Sequence, residues 1–189
     1  MLSKIINKFI YKFLLSRVKP EIIGYKNSVG LTIDQTGASN MSHISNKKNI
    51  EIGKHVFIGH FNYIDGYNKV IIEEGCQITN YVSILTHSSH NIIRLHGNNS
   101  IPKDLLEKGL ISKEVYIGEF SYIGAHTVIM PGSKIGKGSI VSAYSYVNGE
   151  FPDYSILRGQ PARVVGNTKE LDEKLLEEFP ELNSFYFNK

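Results

Sequence analysis

Residues 117–146 read IGEFSY-IGAHTV-IMPGSK-IGKGSI-VSAYSY. An aliphatic residue opens every hexad, at Ile117, Ile123, Ile129, Ile135 and Val141, and Val147 opens the next. Four places after each comes a small hydroxyl side chain, Ser121, Thr127, Ser133, Ser139 or Ser145, until Phe151 breaks the pattern. One place after stand Gly118, Gly124, Gly136, Ser142 and Asn148, with Met130 the exception. Upstream, Ile52, Ile58 and Ile64, then Ile72, Ile78 and Ile84, keep the same step, interrupted by two extra residues near Tyr67–Lys69. A looser stretch, Leu31, Ile33, Ile44 and Ile50, precedes them.

A six-residue period fits neither a 3.6-residue helix nor a hairpin meander. It fits short strands joined by tight corners, each strand turning one aliphatic side chain inward. Small or left-handed-tolerant residues are expected at the corners. Three such sides close a coil of roughly 18 residues, and stacked coils make a parallel β-helix around an aliphatic column. The expected fold is therefore all-β, with about four coils. The repeat also accounts for 17 glycines in a chain of 189 residues that lacks collagen's period.

Thr86 to Glu114 abandons the period, and an excursion of that length in a solenoid is read as a functional arm. Within it Ser100-Ile101-Pro102, followed by Lys103–Lys108 and Gly109, predicts a short helix with a proline start and a glycine stop. Lys169–Glu178 predicts another.

No apolar run approaches the ~20 residues of a membrane span, and one cysteine excludes a disulfide framework. A net charge of +3 is too balanced to point to nucleic acid. The charge is unevenly placed, however. Lys4, Lys8, Lys12, Arg17, Lys19 and Lys26 face only Glu21 in the first 26 residues. There Leu2, Ile5, Ile6, Phe9, Ile10, Phe13 and Leu14 recur at helical spacing, a basic amphipathic helix that either packs on its own protein or a neighbouring subunit or touches an anionic membrane through residues 2–17. The expected organisation is residues 1–26 as this helix and lead-in, 27–166 as the β-helix with an arm at 88–114, and 167–189 as a helical tail. The expected location is the cytoplasm, with the inner membrane face as a peripheral site.

The repeat, together with Gly159-Gln160-Pro161-Ala162-Arg163 at its end, resembles the hexapeptide-repeat acyltransferases. The branch is that of galactoside, maltose, xenobiotic and surface-polysaccharide O-acetyltransferases. The resemblance covers about residues 50–166 and implies a left-handed β-helix; the period alone does not give the hand, and ordinary crossovers are right-handed. It further implies a homotrimer with active sites between subunits, acetyl-CoA as cosubstrate and no metal. The implied activity is acetyl transfer to a sugar or glycan hydroxyl in capsule or O-antigen synthesis. An amino or nucleotide sugar, or an antibiotic, is the alternative acceptor.

The resemblance implies a general base where the arm leaves the coil. His87 stands there, with His90 the rival, and imidazole's ordinary pKa of ~6.5 suits abstraction of a hydroxyl proton. Asn62 and Asp65, about one coil upstream, are candidates to orient the imidazole or hold the acceptor, as are His90 and Arg94. Gly124, Ala125, Ser142 and Ala143 match the places that line the pantetheine arm, and Arg163 matches a phosphate contact. Two further phosphate contacts of that family are replaced by Asn148-Gly149 and Gly166, with Lys137, Arg158 or Lys169 as substitutes. Cys76 reads as a small buried side chain, and His126 as a subunit-contact or cofactor-edge residue. His55 and His60 have the spacing of two zinc ligands in the β-helical carbonic anhydrases, but the flanking residues and a third ligand are lacking.

Overall fold

The computed structural model describes residues 37–38, 42–97, 99–100, 102–184 and 186. The predicted N-terminal helix, together with Leu31 and Ile33, lies outside the described residues.

Three parallel sheets form the faces of a prism. The first stacks Ala38, Ile58, Ile78, Ile123, Val141 and Leu157. The second stacks Ile44, Ile64, Ile84, Ile129 and Val147. The third stacks Ile52, Ile72, Ile117, Ile135 and Phe151. From Ile58 to Val147 these inward aliphatics are 0–1% exposed, and burying each contributes about 1.5–3 kcal/mol. The recurring hydroxyl has a structural task of its own. Ser121 Oγ donates to Gly136 O and Ser133 Oγ to Val147 O, both at 3.1 Å, so each answers a carbonyl of the following coil. Cys76 does the same one coil earlier, its Sγ lying 3.1 Å from Gly118 O, and it is buried as its position in the repeat predicts.

The coils are not of one length. Stacked partners are twenty residues apart in the first coils (Ile44 and Ile64, Ile52 and Ile72) and eighteen apart in the next (Ile117 and Ile135, Ile129 and Val147). The last spacing is sixteen, Ile135 to Phe151 and Val141 to Leu157. The break at Phe151 is thus a shortened edge rather than the end of the coil, which continues through Ser155–Gly159. The strand Ala162–Asn167 then returns antiparallel along that segment and closes this end of the first sheet.

The expectation that small, left-handed-tolerant residues occupy the corners holds only in part, at Gly75, Gly132 and Gly138, whose φ values are 70°, 86° and 61°. Left-handed backbone falls three places after the inward aliphatic, at His55, Phe61, Tyr81, Phe120, His126, Tyr144 and Tyr154, with φ between 56° and 62°. The glycine one place after the aliphatic answers a different need. A Cβ at Gly118 would fall 2.6 Å from Lys137 N, so the missing side chain lets the next coil's backbone approach. On the edge between the first and second faces, the left-handed residues Phe61, Tyr81, His126 and Tyr144 stack as a ladder. Their ring centroids are 5.1, 4.8 and 4.7 Å apart, the spacing of neighbouring strands.

The arm carries two short helices, α1 (His90–His96) and α2 (Lys103–Gly109). The second matches the predicted helix, with Pro102 before it; the first was not anticipated. They pack closely enough that a Cβ on Gly109 would lie 2.9 Å from Ile92 Cγ1. After the coil, α3 (Thr168–Glu178) begins on Asn167, whose Oδ1 accepts from Lys169 N at 2.9 Å. Among the described residues no helix is long and apolar enough to cross a membrane.

Candidate active site

The edge between the second and third faces departs from the six-residue step in every coil that precedes the arm. Ile44 to Ile52 and Ile64 to Ile72 each take eight residues, and Ile84 to Ile117 takes the whole arm. His87 sits at the root of that arm. Its strand, His87–Ser88, pairs antiparallel with Ile111–Ser112, so the outgoing and returning chains clasp each other. Asn68 Nδ2 adds a bond to Ser112 Oγ at 3.1 Å.

One coil below, Asp65 faces the imidazole. Its Oδ2 lies 2.5 Å from His87 Nδ1. The carboxylate is almost wholly buried, with 3% of its side chain exposed against 36% for the imidazole. Burial by itself pushes the Asp65 carboxyl upward. The bonds from His87, Tyr67 N, Thr86 N and the Thr86 hydroxyl outweigh it and hold the group below its ordinary value of 3.8. An ionised Asp65 accepts from Nδ1–H, which fixes the tautomer and leaves the lone pair on Nε2. Tyr67 completes the setting, its ring stacked on the imidazole at 4.5 Å.

Sequence reasoning did not single out Tyr67 or Thr86. Thr86 Oγ1 is 2.9 Å from Asp65 O and accepts from Asn68 N at 2.9 Å, tying the base, its carboxylate and the enlarged corner together. The usable signals were the two surplus residues at Tyr67–Lys69 and the placing of Thr86 beside His87.

The other candidates divide. His90 opens α1, is exposed, and its Nδ1 pairs with Ser88 Oγ at 2.7 Å; the carboxylate contact belongs to His87. Arg94 is exposed on the same helix and donates to Asn91 Oδ1 at 2.8 Å. Asn62 is a correction. It lies on the edge between the first and second faces, is 2% exposed, and spends its amide on Gly59 O and Val82 N. It is a corner-bonding residue rather than an acceptor contact. Asp65, proposed with it, contacts the imidazole, the first of the two roles expected of it.

Gly124, Ala125, Ser142 and Ala143 lie on that same edge, one face away from His87. The argument that Gly124 is small to admit a ligand also needs correcting, because a Cβ there would strike Ala143 N at 2.5 Å. Ala143 is exposed and Ser142 partly so, which leaves them on the surface of the edge. Arg163 is exposed on the returning strand, its Nη1 on Ala162 O at 3.0 Å. Of the suggested substitutes, Lys137 and Lys169 both lie over the Tyr154 ring, at 5.8 and 4.2 Å. His55 and His60 sit on different edges, His55 near Glu74 at 3.9 Å, so the two-histidine zinc spacing does not form a pair in space.

The described coil is thus a parallel β-helix of hexads with a carboxylate-held histidine at the root of an inserted arm. Residues 114–149 match the family described as bacterial transferase hexapeptide (six repeats). Over these residues the chain is similar to that hexapeptide-repeat family. Among curated relatives it is similar to the galactoside O-acetyltransferase of Escherichia coli (strain K12), with 29% identity over 69% of this chain and 60% of that one. The galactoside O-acetyltransferase of Lactococcus lactis is 35% identical over 39% of this chain and 36% of that one. The chain spans between about a third and two thirds of the length of the curated relatives it matches. Among solved structures, a galactoside acetyltransferase in complex with coenzyme A superposes with a TM-score of 0.56, at 27% identity over 70% of this chain and 62% of that one. A hexapeptide-repeat acetyltransferase of Vibrio cholerae complexed with acetyl-coenzyme A gives 0.56 at 28% identity, over 67% and 64%.

Proposed function

We propose that the protein is an acetyl-CoA-dependent acyltransferase that moves an acetyl group to a sugar hydroxyl, in the assembly of a surface polysaccharide. The observation that carries this reading is the His87–Asp65 pair at the root of the arm. The galactoside acetyltransferases among its relatives support the choice of acceptor and cosubstrate. The left-handed sense of the coil belongs to the same reading and rests on the family resemblance.

In this mechanism acetyl-CoA is a substrate that supplies the acyl thioester. His87 Nε2 takes the acceptor's proton as its oxygen attacks the thioester carbon. When the C–S bond breaks, the imidazolium returns that proton to the departing sulfur, so atoms and charge balance. Asp65 stays ionised and stabilises the imidazolium. No enzyme nucleophile is needed. Ala125, Ser142 and Ala143, with Arg163, would hold the pantetheine arm and a phosphate. Those residues and His87 occupy different edges of one prism, which supports a site completed by a neighbouring copy, as in the trimer that the family resemblance implies.

The test is CoA release with acetyl-CoA across a panel of sugars and amino sugars. His87→Ala is expected to lower kcat by about 10²–10⁴-fold while His90→Ala retains most of it. Intact transfer in His87→Ala would overturn the assignment, and preference for an amine over a hydroxyl would change the acceptor class.

A further inference from the structure

The two enlarged corners below the arm stack on each other. Lys47–Asn49 in the first coil lies beneath Tyr67–Lys69 in the second, and between them opens a cleft of about 230 Å³. Its walls are Lys48, Asn49, Glu51, Tyr67, Asn68 and Lys69. The corners are tied together rather than loosely apposed. Asn49 Nδ2 donates to Gly66 O at 2.8 Å, and Gly66 presses so closely on the corner below that a Cβ would meet Asn46 O at 2.6 Å. Tyr67 N is held by Asp65 Oδ1 at 3.0 Å. One carboxylate therefore positions both the imidazole and the aromatic wall of the cleft.

Tyr67 is the hinge of the argument. Its ring is stacked on His87 at 4.5 Å, walls the cleft, and is 49% exposed. A half-exposed aromatic ring beside polar donors and acceptors is the surface on which a sugar ring rests, its C–H face on the ring and its hydroxyls on the rim. The charge is one-sided. Lys69 is paired with Glu51 at 2.9 Å, whereas Lys48 is exposed and has no ion pair among the described residues, so the cleft keeps one uncompensated positive charge. Lys47 adds a second cation on the same corner.

We propose that this cleft is the acceptor subsite and selects a sugar carrying a negative group, a carboxylate or a phosphate, with the ring on Tyr67 and the anion at Lys48. The inference rests on the acyltransferase reading and gives its substrate class. The surplus residues at both corners then have a purpose that a regular six-residue step could not serve.

The experiment has a binding arm and a transfer arm, both on the full chain. In the first, binding of glucose, glucuronate and glucose 1-phosphate is titrated by NMR without acetyl-CoA; in the second, KM and kcat for the same three are measured by CoA release. The charged sugars are expected to bind more tightly than glucose. Lys48→Gln should weaken them about five- to tenfold, with kcat little changed, glucose unaffected, and the difference shrinking as salt rises. Tyr67→Leu should weaken all three. Comparison of uronate with phosphate identifies the anion. Lys48-dependent binding without transfer would sink the acyltransferase reading and leave the cleft standing. Transfer with equal KM for charged and neutral sugars, or indifference to Lys48→Gln, would overturn the cleft and leave the enzyme.

Discussion

Asp65 and His87 divide one hydrogen bond unequally: the carboxylate is buried while the imidazole is open to solvent. The buried partner is also the better bonded, since its two oxygens receive Tyr67 N and Thr86 N as well as the imidazole. Replacing it with an amide of the same shape should keep the fold and lose the tautomer. Asp65→Asn is expected to reduce kcat roughly 10²–10⁴-fold with KM for acetyl-CoA nearly unchanged. Steady-state kinetics on the variant decide this.

The same carboxylate makes acid stability predictable. Its bonds hold its folded-state value below the ordinary 3.8. The stabilisation is therefore full above 3.8 and fades as pH falls through the lower folded value. Melting temperatures of wild type and Asp65→Asn should differ at neutral pH and converge in acid. A gap that stayed constant to the lowest pH would contradict the assignment.

Cys76 is predicted to be inert. Burial, the largest influence, pushes its thiol up to about 11, so a thiol reagent at pH 8 should react only when the coil unfolds. Because the side chain fills a serine place in the repeat, Cys76→Ser should cost less than about 1.5 kcal/mol. Denaturant titration measures that cost, and thiol labelling measures the reactivity.

Gly124→Ala separates packing from ligand binding. The added methyl meets the backbone of Ala143, and relieving that overlap should cost about 1–3 kcal/mol. The loss should appear in the melting temperature without any CoA present. A variant as stable as wild type that fails only to bind CoA would restore the ligand-cradle explanation.

The coil was legible because the core needs one aliphatic residue per strand, and Ile117 to Val147 never miss a step. What escaped the reading were changes of perimeter. Leu157 was lost because Phe151 arrives two residues early, and Ile44 looked irregular because its edge is two residues longer than the repeat. Candidate residues were then placed by counting coils instead of edges. That suited Asp65, which shares an edge with His87, and failed for Asn62, which does not. Helix α1 is only seven residues long and has no side-chain cap bond, so His90–His96 is too short to show a helical period. The left-handed corners were assigned to small residues, and glycine does take Gly75, Gly132 and Gly138, but ring-bearing side chains take His55, Phe61, Tyr81, Phe120, His126, Tyr144 and Tyr154.

That ladder of Phe61, Tyr81, His126 and Tyr144 gives the protein an optical gauge of its own integrity. The sequence contains no tryptophan, and these rings couple only while adjacent coils keep strand spacing. Near-ultraviolet circular dichroism should therefore report the stacking of the coils directly, and a loosening of one turn against the next would be visible before the strands themselves are lost.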